Sequence, residues 1–211
     1  MSTSQNPQKN QKKNHYHHGS LRSELLNHAA RMIREQGEEA LSMRKLADSV
    51  GVSRTAAYHH FKDKQDLLCA VAEEGFRRFD QLSASVDSET RLEDYLDQHI
   101  RSYIAFAVNN KEYYNLMFGG RIWKSQVLTA SLKKLAYASF QHQVDQMEEV
   151  CKNCILPDGV TPLRFSQIVW STLHGLSRLM IDGIYVEQTA IDAICDASVK
   201  VLVEGISGES I

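Results

Sequence analysis

Arg54, Thr55, Tyr58, His59 and His60 fall within seven consecutive residues, and Lys62 and Lys64 follow at once. A guanidinium forks onto a guanine edge, a threonine offers its methyl or hydroxyl to a base, and a phenol donates to a phosphate. The two ammonium groups are point charges for a nucleic-acid backbone.

Two further groupings invite a chemical reading. Trp170 and His174 stand one helical turn apart among aliphatic residues, and Tyr113, Tyr114, Phe118, Gly119 and Gly120 crowd the stretch between Lys111 and Trp123. An aromatic with one polar group is what a small-molecule pocket offers, so Trp170, His174, Tyr114 and Phe118 are candidate effector contacts; core packing is the competing reading. Cys151 and Cys154 have the spacing of a redox or zinc half-site. They also continue the series Phe140, Val144, Met147 at intervals of four and three, the period of a helical core, and no second C-x-x-C or H-x-x-x-H accompanies them. Buried thiols are the expectation, with a thiol- or metal-responsive protein as the alternative. No metal site, cofactor or catalytic residue is assigned. The chain lacks G-x-S-x-G, a phosphate loop and a dinucleotide fingerprint, so an enzyme is not expected.

The elements that position these residues are all helical. The 3 prolines, Pro7, Pro157 and Pro162, leave about 150 consecutive residues free of a helix-breaking imide, and β-branched runs bounded by turns are scarce. Leu21, Leu25, Leu26, Ala29, Met32 and Ile33 form one helical stripe ending at Gly37. Ser42 is placed to cap a short helix from Met43 to Ser49, Gly51 permits a left-handed turn, Ser53 caps a second short helix to about Phe61, and Asp63 caps a third. Two short helices joined through V-G-V make a helix-turn-helix, with Leu46, Ala47, Val50, Val52 and Ala57 inward and Arg54, Thr55, Tyr58 and His59 outward.

Charge is divided to match. The whole chain of 211 residues has 24 Lys+Arg against 26 Asp+Glu and 43% apolar residues, which excludes a disordered chain and leaves a net of −2. Residues 1–68 hold 6 Lys and 5 Arg against 7 Asp+Glu, a net of +4, so the remainder carries −6. The polar opening, 1–19, reads as a disordered basic arm whose Lys9, Lys12 and Lys13 could enter a minor groove. It has no apolar core of a secretory signal, and the longest uncharged apolar run, Tyr103 to Val108, is far short of the ~20 residues of a membrane span. No membrane partner and a cytoplasmic location are expected.

The stretch Leu25 to Leu68, with A-A-R-M-I-R-E-Q-G and then L-S-M-R-K-L-A-D-S-V-G-V-S-R-T-A-A-Y-H-H-F-K-D-K-Q-D-L-L, resembles the DNA-binding domain of TetR-family transcriptional regulators. The Y-H-H-G-S-L-R before it and W-S-T-L-H-G from Trp170 to Gly175 resemble a subgroup with a Trp-His-Gly signature. The resemblance implies a homodimer on a palindromic double-stranded DNA operator, with a small-molecule effector in the C-terminal part. It implies phosphate contacts at Ser42, Tyr58 and Lys64, and base contacts at Arg44, Arg54 and Thr55. Ala57 stands where the family usually has a larger aliphatic, and His59 where it often has Trp or Arg.

Downstream, a stripe from Leu67 to Leu82 marks a connecting helix, a second runs from Leu92 to Ala107 with His99 among core positions, and a long helix is predicted from Ser125 to about Asn153. The helix from Leu163 to Ile184 carries two apolar stripes, one with Phe165, Ile168, Val169, Thr172, Leu176, Leu179 and Met180, the other with Trp170, His174, Ser177 and Ile181. The last helix, Ala190 to Val203, is apolar around most of its circumference through Ile191, Ile194, Ala197, Val201 and Leu202. Two such helices predict a homodimer through a four-helix interface. The expected architecture is all-α: arm 1–19, helix-turn-helix domain 20–66, and helical effector and dimerisation domain 67–211. The expected function is a ligand-responsive regulator, a repressor released from its operator by its effector.

Overall fold

A computed structural model of the chain describes residues 18–88, 90–124, 128–153, 156–185 and 187–207. The residues of the basic arm before His18 lie outside them. Among the described residues there are helices and no strands. The first helix, α1 (His18–Gln36), stops at Gly37, whose φ of 81° lies in the left-handed region that glycine enters without steric cost. A 3-10 turn, Glu38–Ala40, leads into α2 (Met43–Val50) and α3 (Arg54–His60). Both helices start on a serine: Ser42 Oγ accepts from the Lys45 N–H at 3.2 Å and Ser53 Oγ from the Ala56 N–H at 3.1 Å. Gly51 ends α2 at φ 77°, and Asp63 caps α4 (Lys64–Ser83) at 2.8 Å. Leu25, Leu46, Ala47, Ala57, Phe61 and Leu67 close a small core between these helices.

The helix α4 continues into the larger half, where it packs on α6 (Lys111–Phe118) and α8 (Ala130–Val150). Gly75 sets the approach to α6: a Cβ there would lie 2.7 Å from Met117 Sδ and 3.0 Å from Tyr113 Cβ. The layer is completed by α5 (Leu92–Asn109), α9 (Pro162–Ile181) and α10 (Gln188–Ser207), with α5 against both of the last two.

Several expectations need correcting. The aromatic stretch between Lys111 and Trp123, which reads from its residues as a connection between helices, is itself helical: α6 is followed by the short α7 (Gly120–Lys124). The helix predicted from Ser125 begins at Ala130, because Thr129 Oγ1 accepts from the Leu132 N–H at 3.2 Å, and ends in a 3-10 turn over Cys151–Asn153. In α9 the protomer core takes Phe165, Val169, Leu173 and Met180, whereas Ile168 and Thr172 are exposed. In α10 it takes Cys195 and Val199, whereas Ala197 and Val201 face out. No described helix is long and apolar enough to cross a membrane.

Candidate functional site

The exposed face of α3 carries Arg54, Thr55, Tyr58 and His59, with Lys62 just past its end. Tyr58 is 51% exposed, which leaves its hydroxyl open to a phosphate oxygen. Ala57, by contrast, is fully buried, so its small side chain lets α3 lie close to the core. His60 is half-buried, its ring 6.5 Å from that of Phe61. Arg44 is exposed on α2, with Nε 3.9 Å from the Asp48 carboxylate. Ser42 uses one of its two oxygen lone pairs on the cap and keeps its hydroxyl proton for a further acceptor. Lys64 differs from its neighbours: its Nζ donates to the Glu38 carbonyl at 2.8 Å, tying the start of α4 to the 3-10 turn. The structure therefore gathers Arg44, Arg54, Thr55, Tyr58, His59 and Lys62 on exposed positions of one short motif and turns Lys64 inward.

A second site lies in the larger half. A cavity of about 990 Å³ opens between α4, α8 and α9, lined among others by Phe76, Phe79, Phe118, Trp123, Phe140, Trp170 and His174. Lys133, Lys134 and Gln143 add polar groups to its wall. Three of the four expected effector contacts line it; Tyr114 stands directly behind. The rings form one cluster, with Phe118 5.3 Å edge-on to His174 and Phe140 5.4 Å from Trp170. Sequence periodicity did not single out Phe76, Phe79 and Phe140 as cavity residues, because their spacing along α4 and α8 is that of ordinary core, nor Trp123, which sits on the five-residue α7.

Polar atoms behind the cavity are wired in series. Trp170 Nε1–H donates to Tyr103 Oη at 3.1 Å, the Tyr103 and Tyr114 hydroxyls are 3.1 Å apart, and Tyr114 Oη lies 2.7 Å from His174 Nδ1. Burial pushes the Tyr103 hydroxyl well above the ordinary phenol range and Tyr114 up to about 12. His174 is held below its ordinary value, first by burial and then by the Arg178 guanidinium. All three are neutral near pH 7. His99 is a core residue, stacked on Tyr95 at 5.4 Å and pushed down to about 4 by burial.

The cysteines are dispersed. Cys69, Cys151 and Cys195 are buried, and burial raises Cys69 and Cys195 above the ordinary thiol value. Cys154 lies outside the described residues, so the proposed pair with Cys151 has one placed member. Among the described residues no group of three His, Cys, Asp or Glu side chains is arranged to hold a metal ion.

The two sites are joined through α6 and α7. Glu112, buried on α6, pairs with Arg34 of α1 at 3.2 Å. Arg121 of α7 pairs with Glu38 at 3.1 Å and with Glu39, both in the 3-10 turn. The same two short helices carry Phe118 and Trp123 on the cavity wall and Tyr114 behind it.

Residues 25–71 match the model of bacterial regulatory proteins of the tetR family, and residues 96–205 match that of the tetracyclin repressor-like C-terminal domain. The HTH-type transcriptional repressor AcnR of Corynebacterium diphtheriae is 41% identical over 63 residues, 30% of this chain and 33% of that one. The HTH-type transcriptional repressor KstR2 of Mycolicibacterium smegmatis is 43% identical over 49 residues, 23% and 24% of the two chains. The chain thus spans about a third or less of the length of these curated relatives. Among solved structures, a protein of unknown function from Rhodococcus sp. RHA1 superposes with a TM-score of 0.79 at 28% identity, covering 92% of this chain and 99% of that one. The transcriptional regulator FadR from Bacillus subtilis, in complex with stearoyl-CoA, has the same fold at a TM-score of 0.66 and 15% identity, covering 87% and 98%.

Proposed function

The chain belongs to the TetR family of bacterial regulatory proteins, and we propose that it is a transcriptional repressor that binds a palindromic operator as a homodimer and leaves it when a small molecule enters the cavity. The observation that carries this reading is the exposed face of α3, with Arg54, Thr55 and Tyr58 set on a capped, glycine-stopped helix-turn-helix. Residues 20–66 form the DNA-binding unit and 67–211 the effector and dimerisation unit. Arg44, Arg54 and Thr55 read bases; Ser42, Tyr58, His59, His60 and Lys62 meet the backbone, joined by Lys64 if its bond to Glu38 opens.

Dimerisation uses the outer faces of α9 and α10, where Ile168 at 51% and Val201 at 67% exposure leave apolar surface unburied by the protomer. In the DNA-bound dimer the two copies of α3 lie one helical turn of DNA apart, about 34 to 36 Å. The effector occupies the space beside Trp170, His174 and Phe118, with Tyr114 behind. Its binding favours a different placement of α6 and α7, and the Arg34–Glu112 and Arg121–Glu38 pairs carry that shift to α1 and the 3-10 turn. The match to the tetR-family and tetracyclin repressor-like models supports reading the protein as a regulator and not an enzyme.

Selection of bound sequences from random duplex DNA by the purified protein tests the reading. A recovered palindrome supports it; enrichment of a single asymmetric site contradicts the dimeric operator, and no enrichment contradicts the DNA-binding assignment.

A further inference from the structure

The series Trp170, Tyr103, Tyr114, His174 has a direction. An indole N–H only donates, so Tyr103 Oη must accept from Trp170. Tyr103 is 2% exposed and the Tyr114 hydroxyl is the other oxygen its proton can reach among the described residues, so Tyr103 donates to Tyr114; leaving that proton buried and unbonded is the costly alternative. Tyr114, also fully buried, has the Ser177 hydroxyl near it as well, but Ser177 Oγ lies outside hydrogen-bond geometry, so the single Tyr114 proton goes to His174 Nδ1 at 2.7 Å. A neutral imidazole that accepts at Nδ1 carries its proton on Nε2. Nδ1 is committed to Tyr114, Nε2 has no hydrogen-bond partner among the described residues, and the ring lines the cavity.

We infer that the four residues lock His174 as a hydrogen-bond donor toward the cavity, and that the effector is a largely apolar molecule that sets a carbonyl oxygen against Nε2–H. This deepens the effector-pocket reading above and rests on it. The aromatic walls from Phe76, Phe79, Phe118, Phe140 and Trp170 supply the apolar complement. A ligand of the same shape without the acceptor leaves Nε2–H desolvated and unpaired, which is where discrimination arises. Trp170 and His174 thereby have distinct jobs: Trp170 starts the series that fixes the tautomer, and His174 presents its end.

Two measurements test this. Imidazole nitrogen NMR of the intact protein at pH 7 is expected to show His174 protonated on Nε2 and bare on Nδ1, with Tyr114→Phe producing a mixture of tautomers. A proton on Nδ1, or a doubly protonated ring, overturns the inference without reference to any ligand. Equilibrium dialysis with benzophenone and diphenylmethane, which differ by carbonyl against methylene, then separates the inference from its premise. His174→Phe is expected to weaken benzophenone relative to diphenylmethane by about fivefold. An equal change for both probes overturns the donor role and leaves the pocket standing. Failure of the wild-type protein to bind either probe removes the pocket itself, and the inference with it.

Discussion

The DNA-binding motif and the cavity both fix a handful of side chains, but they do so over different distances in the chain. In the motif, each helix is started and stopped by its own neighbours: Ser42, Ser53 and Asp63 bond backbone N–H groups three residues on, and Gly37 and Gly51 turn the chain. Around the cavity the contacts are remote: Tyr114 to His174 spans 60 residues, Trp170 to Tyr103 spans 67, and Ser83 to Gln146 spans 63. A motif held by local bonds keeps its shape wherever it is carried. A cavity held by distant helices changes shape when those helices move, which is what a sensor requires.

The largest expected effect probes the remote half. Unfolded His99 takes a proton below its ordinary value near 6.5, whereas the folded residue resists protonation until about 4. Between those values the unfolded state binds more protons, so stability is complete above pH 6.5 and falls as pH drops toward 4, by about 3 kcal/mol in all. In denaturant unfolding the wild type should lose about 3 kcal/mol more than His99→Phe as pH falls across that range; parallel curves would show that His99 is not the group. Next, Gly75→Val, which drives a branched side chain into Met117 and Tyr113, should cost about 2 kcal/mol by denaturant unfolding. It should also weaken operator release by any effector, since α4 and α6 are pressed apart there.

The smallest effect sharpens the contrast. Ser53→Ala and Thr161→Ala each delete one cap, at α3 and α9, and each should cost about 1 kcal/mol. Only Ser53→Ala should weaken DNA binding beyond its effect on the melting temperature. Equal effects of the two on operator affinity would erase the distinction between the halves.

This division also sets what the sequence reveals. The motif is legible because caps and turn glycines act within four residues, and the positions of Ser42, Gly51, Ser53 and Asp63 state the helix ends directly. The start of α8 was misread because Thr129, a cap like the others, follows an aromatic stretch with no clear helical period, where α6 and α7 form by packing. Trp170, His174 and Tyr114 stand out by residue type, but Tyr103 reads as core, and only the folded chain aligns the Tyr103 and Tyr114 hydroxyls. The same holds for α9 and α10: apolar residues on every side announce burial without saying which side the protomer uses, and Leu173 rather than Ile168 took the core.

Titrating the wild type and Arg54→Ala with the selected duplex at a series of salt concentrations tests whether the exposed face of α3 reads duplex DNA. The wild type should lose affinity steeply and linearly in log–log form as salt rises. Arg54→Ala should lose about tenfold on the selected site, while its weaker binding to unrelated duplex stays nearly unchanged. Affinity that ignores salt, or an Arg54→Ala protein that still prefers the selected site to the same degree, would contradict the claim.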